Sequence, residues 1–165
     1  MQTLEWCMAM GIKVVSVYAF SIENFKRTQK EIDVLMDLAE EKFEEFLKQD
    51  AFINRNGICV RVIGDLSLLR PTTRKAAEKL MWHTRNGTNA ILNIACPYTS
   101  TEEMNSAING VKVGLEAGKL EKNDVTEYLL DDCMYTQDTY PLDVMVRTSG
   151  EVRLSDFMLW QVVYV

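Results

Sequence analysis

With 165 residues, of which 47% are hydrophobic and 25% charged, the chain has the length and composition of one ordinary globular domain with a real core. A net charge of -6 and an isoelectric point near 4.9 argue against a general electrostatic nucleic-acid binder, which would be basic, so any anion site must be a local cluster of cations. There is no secretory signal pattern and no apolar run long enough to span a bilayer, which predicts a soluble or peripherally membrane-associated protein.

The first part of the chain predicts a helix, a strand and a second helix. Residues 2–10 are interpreted as the end of a helix that stops at Gly11, a residue type common just past a helix C-terminus. Segment 13–20 is rich in Val, Tyr and Phe on both faces, which is typical of a buried parallel strand. Apolar residues then recur every three or four positions over 30–48, which predicts an amphipathic helix.

Strand and helix patterns continue to alternate towards the end of the chain. Short apolar runs predict strands, and amphipathic runs, one of them opened by Pro71, predict helices. In chain order these are a strand at 58–63, a helix at 71–85, a strand at 90–95, helices at roughly 101–117 and 123–131, a strand at 142–146 and a short helix at 156–164.

The alternation predicts an α/β fold in which a mostly parallel β-sheet is surrounded by helices. No repeat, low-complexity run or Pro/Gly linker divides the sequence, so residues 1–165 are interpreted as a single domain. Ligands of such sheets bind beyond the carboxyl ends of the strands. The residues that directly follow each predicted strand are therefore the candidates for a binding site.

The cysteines and the single histidine do not form a metal-binding pattern. Cys7, Cys59, Cys96 and Cys133 are far apart, and His83 has no neighbouring ligand. Zinc ligation is therefore not expected. The cysteines are interpreted as small buried hydrophobic residues of a protein in a reducing intracellular compartment.

The strongest candidate site is segment 147–155, which reads RTSGEVRLS and follows the predicted strand 142–146. Guanidinium groups such as those of Arg147 and Arg153 direct paired N–H donors at phosphate oxygens. A glycine in the segment lets backbone amides approach an anion, and Ser155 is expected to cap a helix whose free amides favour one. A solvated turn with two surface arginines is the alternative, but the position after a buried strand favours a binding site for a phosphorylated anion.

A second candidate segment, 21–27, reads SIENFKR and follows the strand 13–20. Polar side chains stand there beside the cations Lys26 and Arg27. A loop that only caps the helix at 30–48 explains the segment equally well. Convergence of this segment with 147–155 on one crevice would favour a functional role.

Two other strand ends are weaker candidates. The dipeptide Gly64-Asp65 is interpreted as a turn. Segment 97–100 can line the same crevice, although Ser100 can equally be the cap of the next helix.

Two long segments identify the family that the chain resembles. Residues 15–27 resemble the central signature of the cis-prenyltransferases and read VSVYAFSIENFKR, and residues 143–161 resemble their C-terminal signature and read DVMVRTSGEVRLSDFMLWQ. The pieces IENFKR, MDLAEEKF, VRVIGD and RTSGEVRLSDF are most similar to the eukaryotic branch, the catalytic subunits of dehydrodolichyl diphosphate synthases. The resemblance extends in order over nearly the whole chain.

The resemblance implies an activity and its requirements. Such enzymes are transferases that add isopentenyl diphosphate units in cis to an allylic diphosphate such as farnesyl diphosphate, and the eukaryotic branch makes dehydrodolichyl-type diphosphate for dolichol synthesis and glycosylation. The family fold is a parallel sheet ringed by helices, with a hydrophobic tunnel, and Mg²⁺ is required. The resemblance also implies a homodimer or a heteromer with a related accessory subunit. It further implies peripheral association with the cytoplasmic face of the endoplasmic reticulum membrane.

Roles for individual residues follow from the same resemblance. Arg147, Arg153, Leu154 and Ser155 match the segment that holds isopentenyl diphosphate, and Asn24 matches the residue proposed to take part in catalytic proton removal. Because an amide is a poor base, Asn24 is expected to order a water, a phosphate oxygen or another residue. The other matched substrate-contacting positions are Ser21, Ile22, Glu23, Phe25 and Arg27.

Several features depart from the family pattern. The phosphate loop of the type His/Asp-Gly-Asn-Arg, whose aspartate is the main metal ligand, does not occur in the 165 residues, so no metal ligand is predicted. Phe25 stands where bacterial members carry tryptophan, Thr28 where proline is common, and Thr101 where arginine is frequent. The chain is therefore interpreted as missing the first strand and the C-terminal end of the family, and we expect it to be weakly stable and nearly inactive.

Two other functions are consistent with the sequence. The chain can be a non-catalytic partner subunit that activates a full-length homologue, although such partners usually lose the substrate-binding signatures that are present here. A phosphate-binding α/β domain with no prenyl role is the third hypothesis, and it predicts that a farnesyl analogue binds no better than diphosphate alone.

Overall fold

The computed structural model describes residues 2–48 and 52–163, and their contacts cluster into two compact units. These are the N-terminal unit, Met1–Pro97, and the C-terminal unit, Tyr98–Val165. The helices are α1 (Gln2–Ala9), α2 (Gln29–Leu47), α3 (Phe52–Arg55), α4 (Pro71–Thr84), α5 (Ser100–Glu116), α6 (Glu127–Asp132) and α7 (Leu159–Val162). The strands are β1 (Val14–Tyr18), β2 (Ile58–Ile63) and β3 (Ala90–Ala95), and 3₁₀ turns occupy Ile22–Lys26, Leu66–Leu68 and Lys122–Asp124.

The N-terminal unit is built on a parallel sheet with the strand order β1-β3-β2. In this register Ser16 of β1 and Arg61 of β2 both pair with Asn93 of the central strand. Helices lie in the chain between consecutive strands, as parallel pairing requires. The predicted α/β fold with a parallel sheet among helices is confirmed.

One face of this sheet forms the hydrophobic core with α2 and α4. Ile58, Val60 and Val62 are buried there because alternate side chains of a strand point to the same face. From α4, Leu80 is fully buried in the same core, a burial that contributes about 1.5–3 kcal/mol.

Arg70, which directly precedes α4, ties that helix to α2. Its Nε donates to Oε1 of Glu40 at 2.9 Å, and its guanidinium also forms an ion pair with Asp37. Thr72 Oγ1 donates to the same Glu40 oxygen at 2.8 Å. This network, with the Arg70 hydrogen bond as the largest cause, lowers the pKa of Glu40 from 4.5 to about 2.

The C-terminal unit consists of α5 packed against α6 and α7. Thr99 is the N-cap of α5, and its Oγ1 accepts the Glu102 N–H at 3.2 Å. The alternative that Ser100 caps this helix is therefore wrong by one residue, because Ser100 is already the first helical residue. The predicted helix at 123–131 begins later than expected, at Glu127, after a separate 3₁₀ turn.

Segment 142–146 was predicted to be a strand and is not one. Within the described residues it belongs to neither a helix nor a strand, and Val144 and Val146 are 69% and 76% exposed. A parallel strand requires a hydrogen-bonded neighbour and normally buries both faces. Segment 142–146 has neither a strand neighbour among the described residues nor buried faces, so segment 147–155 does not follow a strand as expected. Its interpretation as an anion-binding site depends on the geometry of the segment itself.

The helix predicted at 156–164 is also shorter than expected. Within the described residues it begins at Leu159 rather than at residue 156, its N-cap is Met158 and no side chain caps it, so Ser155 is not the cap. Ser155, Asp156 and Met158 have φ values of 54°, 57° and 50°, and this left-handed backbone cannot continue a right-handed helix. Residue 164, the last of the predicted helix, lies outside the described residues.

Candidate anion-binding site

In the C-terminal unit, hydrogen bonds from Arg147 connect the two ends of segment 147–155. Arg147 donates to the backbone oxygen of Arg153 and, at 2.8 Å, to Oγ of Ser155. Both arginines and Ser155 are exposed, whereas Leu154 is half-buried. The segment is therefore a solvent-accessible loop that carries two guanidinium groups and a hydroxyl, the donor set expected of a site for a phosphorylated anion.

The second guanidinium of this loop has a carboxylate partner. Arg153 Nη1 lies 2.6 Å from Oε2 of Glu151, in a pair whose side chains are 70% and 40% exposed. The turn that separates Arg147 from Glu151 is left-handed at both Ser149 and Gly150, with φ values of 66° and 68°. Gly150 adopts this conformation without the steric cost that a side chain brings.

Four hydrogen bonds attach the end of this loop to the first turn of α5. Asp156 Oδ1 accepts from the backbone N–H of Thr101 at 3.1 Å and from its Oγ1 at 3.2 Å. The Ser100 N–H donates to the Asp156 carbonyl at 2.7 Å. In the other direction, Ser100 Oγ accepts the N–H of Leu159 at 2.7 Å.

A buried carboxylate lies in the same turn of α5. Glu103 is 1% exposed, and its oxygens accept hydrogen bonds from Tyr98 Oη at 2.5 Å, from the Tyr135 N–H at 2.8 Å and from Gln161 Nε2 at 3.1 Å. Burial, followed by the adjacent Glu103 charge, raises the pKa of Tyr98 well above its usual range, so Tyr98 acts as a hydrogen-bond donor rather than as a base. Glu103 thus joins α5 to the residues around Tyr135 and to α7.

The second predicted segment, 21–27, forms a 3₁₀ turn in the N-terminal unit. Ser21 Oγ accepts the Glu23 N–H at 3.2 Å, and Asn24 Oδ1 accepts the Ser21 N–H at 2.9 Å. This reciprocal capping fixes the Asn24 carboxamide through its oxygen, while its NH₂ group takes no part in the bond. Ile22 is half-buried, and Glu23 forms an exposed ion pair with Lys26.

Phe25 and Arg27 point to different surroundings within this unit. Phe25 packs against the hydrophobic core and makes an edge-to-face contact with Phe20, with ring centroids 4.9 Å apart. Arg27 lines a shallow surface cavity of about 290 Å³. The other lining residues are Lys30, Glu31, Val34 and Leu35. The lining thus consists of two cations, one carboxylate and two apolar side chains.

Two of the predicted segments thus keep their residues together locally, each in its own unit. Arg147, Arg153 and Ser155 form one constellation, and Ser21 and Asn24 form another. The convergence of the two segments on one crevice stays a prediction. Gly64-Asp65 forms the expected turn, in which Asp65 Oδ1 accepts the Ser67 N–H at 3.0 Å.

Asp156 and Glu103 were not predicted from the sequence. Asp156 lies directly after the predicted site, within a segment that was predicted to be helical. No local pattern separates Glu103 from the other carboxylates of an acidic chain, since its partners Tyr135 and Gln161 are distant in sequence.

The cysteines only partly match their interpretation. Burial raises the pKa of the Cys96 thiol to about 12, so that this residue is an unreactive buried group. Cys7, Cys59 and Cys133 are only half-buried, so the expectation of burial is wrong for them. In the part of the chain that the structure describes, no helix is both long enough and apolar enough to span a bilayer.

The whole chain matches a family of known proteins. The prenyltransferase family model described as undecaprenyl diphosphate synthase matches residues 1–165. The chain is 45% identical over 160 residues to the dehydrodolichyl diphosphate synthase complex subunit DHDDS of Homo sapiens, an alignment that covers 97% of this chain and 48% of the relative. It is 40% identical over 163 residues to the tritrans,polycis-undecaprenyl-diphosphate synthase (geranylgeranyl-diphosphate specific) of Pyrococcus abyssi, with 99% and 61% coverage.

Solved structures give the same similarity. The lavandulyl diphosphate synthase from Lavandula x intermedia in complex with dimethylallyl diphosphate matches with a TM-score of 0.87 and 26% identity, over 96% of this chain and 67% of that one. A probable undecaprenyl diphosphate synthase from Campylobacter jejuni matches with a TM-score of 0.82 and 33% identity, over 99% and 73%. The chain spans about half the length of the Homo sapiens relative and about three fifths of the Pyrococcus one.

Proposed function

The chain belongs to the undecaprenyl diphosphate synthase family of cis-prenyltransferases, and from this membership we propose that it binds isopentenyl diphosphate and serves its cis addition to an allylic diphosphate such as farnesyl diphosphate. The observation that carries the proposal is the constellation of Arg147, Arg153 and Ser155 in one exposed loop. By similarity to the Homo sapiens relative, the proposed product is a dehydrodolichyl-type diphosphate.

In this proposal segment 147–155 holds the nucleophilic substrate. The guanidinium groups of Arg147 and Arg153 and the Ser155 hydroxyl donate to the diphosphate of isopentenyl diphosphate, and Leu154 contacts the same substrate. Because the diphosphate is fixed, the double bond of the substrate is oriented towards the allylic carbon, which is catalysis by positioning. Negative charge carried by the bound diphosphate is compensated by the two cations.

The allylic substrate is assigned to segment 21–27 and its neighbourhood. A prenyl diphosphate has an anionic head and an apolar chain, and the cavity at Arg27 and Lys30 pairs cations with the apolar side chains of Val34 and Leu35. Ser21, Ile22, Glu23 and Phe25 are the further contacts in this proposal.

Asn24 is proposed to serve proton removal after the new bond has formed. A carboxamide has no useful basicity, so it must act by orienting an acceptor. Its oxygen is bound to the Ser21 N–H at 2.9 Å, and the NH₂ group is the part that can donate to a phosphate oxygen or a water. Asn24 would then contribute to catalysis by positioning the group that accepts the proton.

Mg²⁺ enters this proposal as a family requirement. Within residues 2–48 and 52–163, no cluster of three or more His, Cys, Asp or Glu side chains is placed to hold a metal ion. No residue of this chain is therefore named as a metal ligand, and no step is assigned through the metal.

Assembly and location are proposed from the relatives. The Homo sapiens relative is named as a complex subunit, which supports a heteromer with a related accessory subunit, with a homodimer as the other arrangement. Peripheral association with the cytoplasmic face of the endoplasmic reticulum membrane is the corresponding location.

Binding of isopentenyl diphosphate to the purified chain, measured by titration calorimetry, tests the proposed site. We expect Arg147→Ala to weaken binding by about 10–100-fold, since hydrogen bonds to charged groups contribute about 1.5–3 kcal/mol. Arg85→Ala is the matched control, because the Arg85 guanidinium stacks on Trp82, 3.6 Å from the ring centroid, and has no part in the site. Equal losses in both variants would contradict the proposed site.

Turnover is measured with radiolabelled isopentenyl diphosphate, farnesyl diphosphate and Mg²⁺. Long-chain product from the chain alone supports the enzyme, and product that rises only when a full-length homologue is added supports the partner-subunit alternative. A chain that binds isopentenyl diphosphate no better than inorganic phosphate, and has no effect on a homologue, would overturn both.

A further inference from the structure

We propose that Asp156 is a positioning residue of the anion-binding loop: it holds the turn at Ser155 against the first turn of α5 and thereby sets the place of Ser155 and Arg147. The inference rests on the proposed function, because the ligand that reports it is a diphosphate. Asp156 itself is not expected to contact the ligand.

The backbone around Ser155 needs an external restraint. Ser155, Asp156 and Met158 all have positive φ, between 50° and 57°. Left-handed backbone is unfavourable for residues with a Cβ and persists where the surrounding structure enforces it. Without such a restraint, the turn would relax towards ordinary backbone and move the Ser155 hydroxyl.

The hydrogen bonds to α5 supply that restraint. The Asp156 carboxylate binds Thr101 through both its N–H and its hydroxyl, at 3.1 and 3.2 Å, and the Asp156 carbonyl accepts the Ser100 N–H at 2.7 Å. Ser100 Oγ closes the ring by accepting the Leu159 N–H at 2.7 Å. The turn is therefore attached to the first turn of α5 at Asp156 and at Leu159.

The restraint is transmitted to the cationic residues through Ser155. The Ser155 hydroxyl accepts a hydrogen bond from Arg147 at 2.8 Å, so a shift of Ser155 removes one of the two hydrogen bonds that position the guanidinium, the other being to the backbone oxygen of Arg153. The charge of Asp156 works against an anion nearby, since like charges repel. If Asp156 increases the affinity for the anion, it must do so because its side-chain oxygen accepts hydrogen bonds, and not because of its charge.

Two substitutions separate the effect of the Asp156 hydrogen bonds from the effect of its charge. Asp156→Ala and Asp156→Asn remove the same charge, but only the asparagine keeps a side-chain oxygen that can accept from Thr101. Asp124→Ala is the matched control, because Asp124 Oδ2 also accepts a backbone N–H, from Glu121 at 2.7 Å, in the same unit. Two readouts apply to all variants of the full chain: titration calorimetry with inorganic diphosphate, and amide hydrogen exchange of Thr101 and Leu159.

We expect Asp156→Ala to bind diphosphate about tenfold more weakly than the unchanged chain and to exchange the Thr101 and Leu159 amides at least about tenfold faster. Asp156→Asn should bind at least as tightly as the unchanged chain and retain slow exchange, and Asp124→Ala should match the unchanged chain in both. Equal diphosphate affinity of the alanine and asparagine variants, or unchanged exchange in Asp156→Ala, would overturn the proposal. If the unchanged chain binds no diphosphate, the proposed function fails, while the exchange rates still decide whether Asp156 holds the turn.

Discussion

Arg153 in segment 147–155 has one partner within the chain, Glu151, and a second, proposed partner in the substrate diphosphate. Its guanidinium pairs with Glu151 at 2.6 Å, and the same guanidinium is assigned to a substrate diphosphate. A bound diphosphate would therefore compete with the Glu151 carboxylate. Since the pair is largely exposed, solvent screens it and the competition is weak.

Removing this competitor should strengthen anion binding. We expect Glu151→Gln to increase the affinity for inorganic diphosphate by about two- to fivefold, because a pair of this kind contributes about 0.2–1 kcal/mol. Glu116→Gln is the control, since Glu116 pairs with Lys112 at 3.8 Å in the same unit and causes the same change in net charge. Calorimetric affinities that rise equally in both variants would show an effect of net charge alone.

Gly87 is a residue whose requirement is visible only in three dimensions. A Cβ there would lie 2.6 Å from the backbone N of Cys59 and 2.8 Å from the carbonyl oxygen of Gly57. Backbone atoms at the start of β2 cannot move aside without disturbing the sheet. The glycine is thus required by close packing and not by a left-handed turn.

Replacing glycine by alanine should change the free energy of unfolding in opposite directions at two positions. We expect Gly87→Ala to lower the free energy of unfolding by about 1–3 kcal/mol through this clash. Gly110→Ala should raise it by up to about 1 kcal/mol, because a Cβ added to Gly110 within α5 would meet no atom outside its own helix within 4 Å, and alanine favours helix. Urea unfolding of both variants measures the difference, and a destabilised Gly110→Ala would contradict this account.

At the scale of elements, one cation and two carboxylates link α2 to the start of α4. Arg70 binds Glu40 and Asp37, and Thr72 adds a hydrogen bond to Glu40. The core beneath these residues supplies most of the stability of this contact, and the network fixes how the start of α4 meets α2. Because Glu40 is charged in this network, the contact should respond to acid.

The pKa of Glu40 predicts the direction of that response. Since folding lowers this pKa from 4.5 to about 2, the network contributes its full stabilisation above about pH 4.5 and loses it as the pH falls towards 2. We expect the unchanged chain to lose about 1–2 kcal/mol more than Glu40→Gln when urea unfolding is compared at about pH 6 and about pH 3. A Glu40→Gln variant that loses as much stability as the unchanged chain would contradict this role of Glu40.

Local patterns predicted most elements because their causes are local. The strands at 58–63 and 90–95 are found with the predicted bounds, and Pro71 opens α4 as expected. The reciprocal capping of Ser21 and Asn24 also lies within four residues of sequence. By contrast, 142–146 has the composition of a strand, but pairing depends on a neighbour that its own sequence does not specify.

For the whole molecule, the net charge of -6 makes the position of each cation informative. The acidic composition gives no general attraction for phosphates, so an anion site needs cations brought together by the chain itself. Arg147 and Arg153 belong to one exposed loop of the C-terminal unit, and Arg27 and Lys30 line a cavity of the N-terminal unit.

The sequence by itself determined the α/β class, most helix and strand positions, the family and the residues of the two candidate segments, because periodicity, capping and signature motifs are read along the chain. Only the tertiary structure showed that 142–146 forms no strand among the described residues, that Ser155 lies in a left-handed turn rather than at a helix cap, and that Asp156 and Glu103 hold that region together. Asp156 accepts a hydrogen bond from Thr101 and Glu103 accepts one from Tyr135, and each of these bonds joins residues more than thirty positions apart. Distant partners of this kind leave no local pattern, and the support of the anion-binding loop could therefore be found only in the fold.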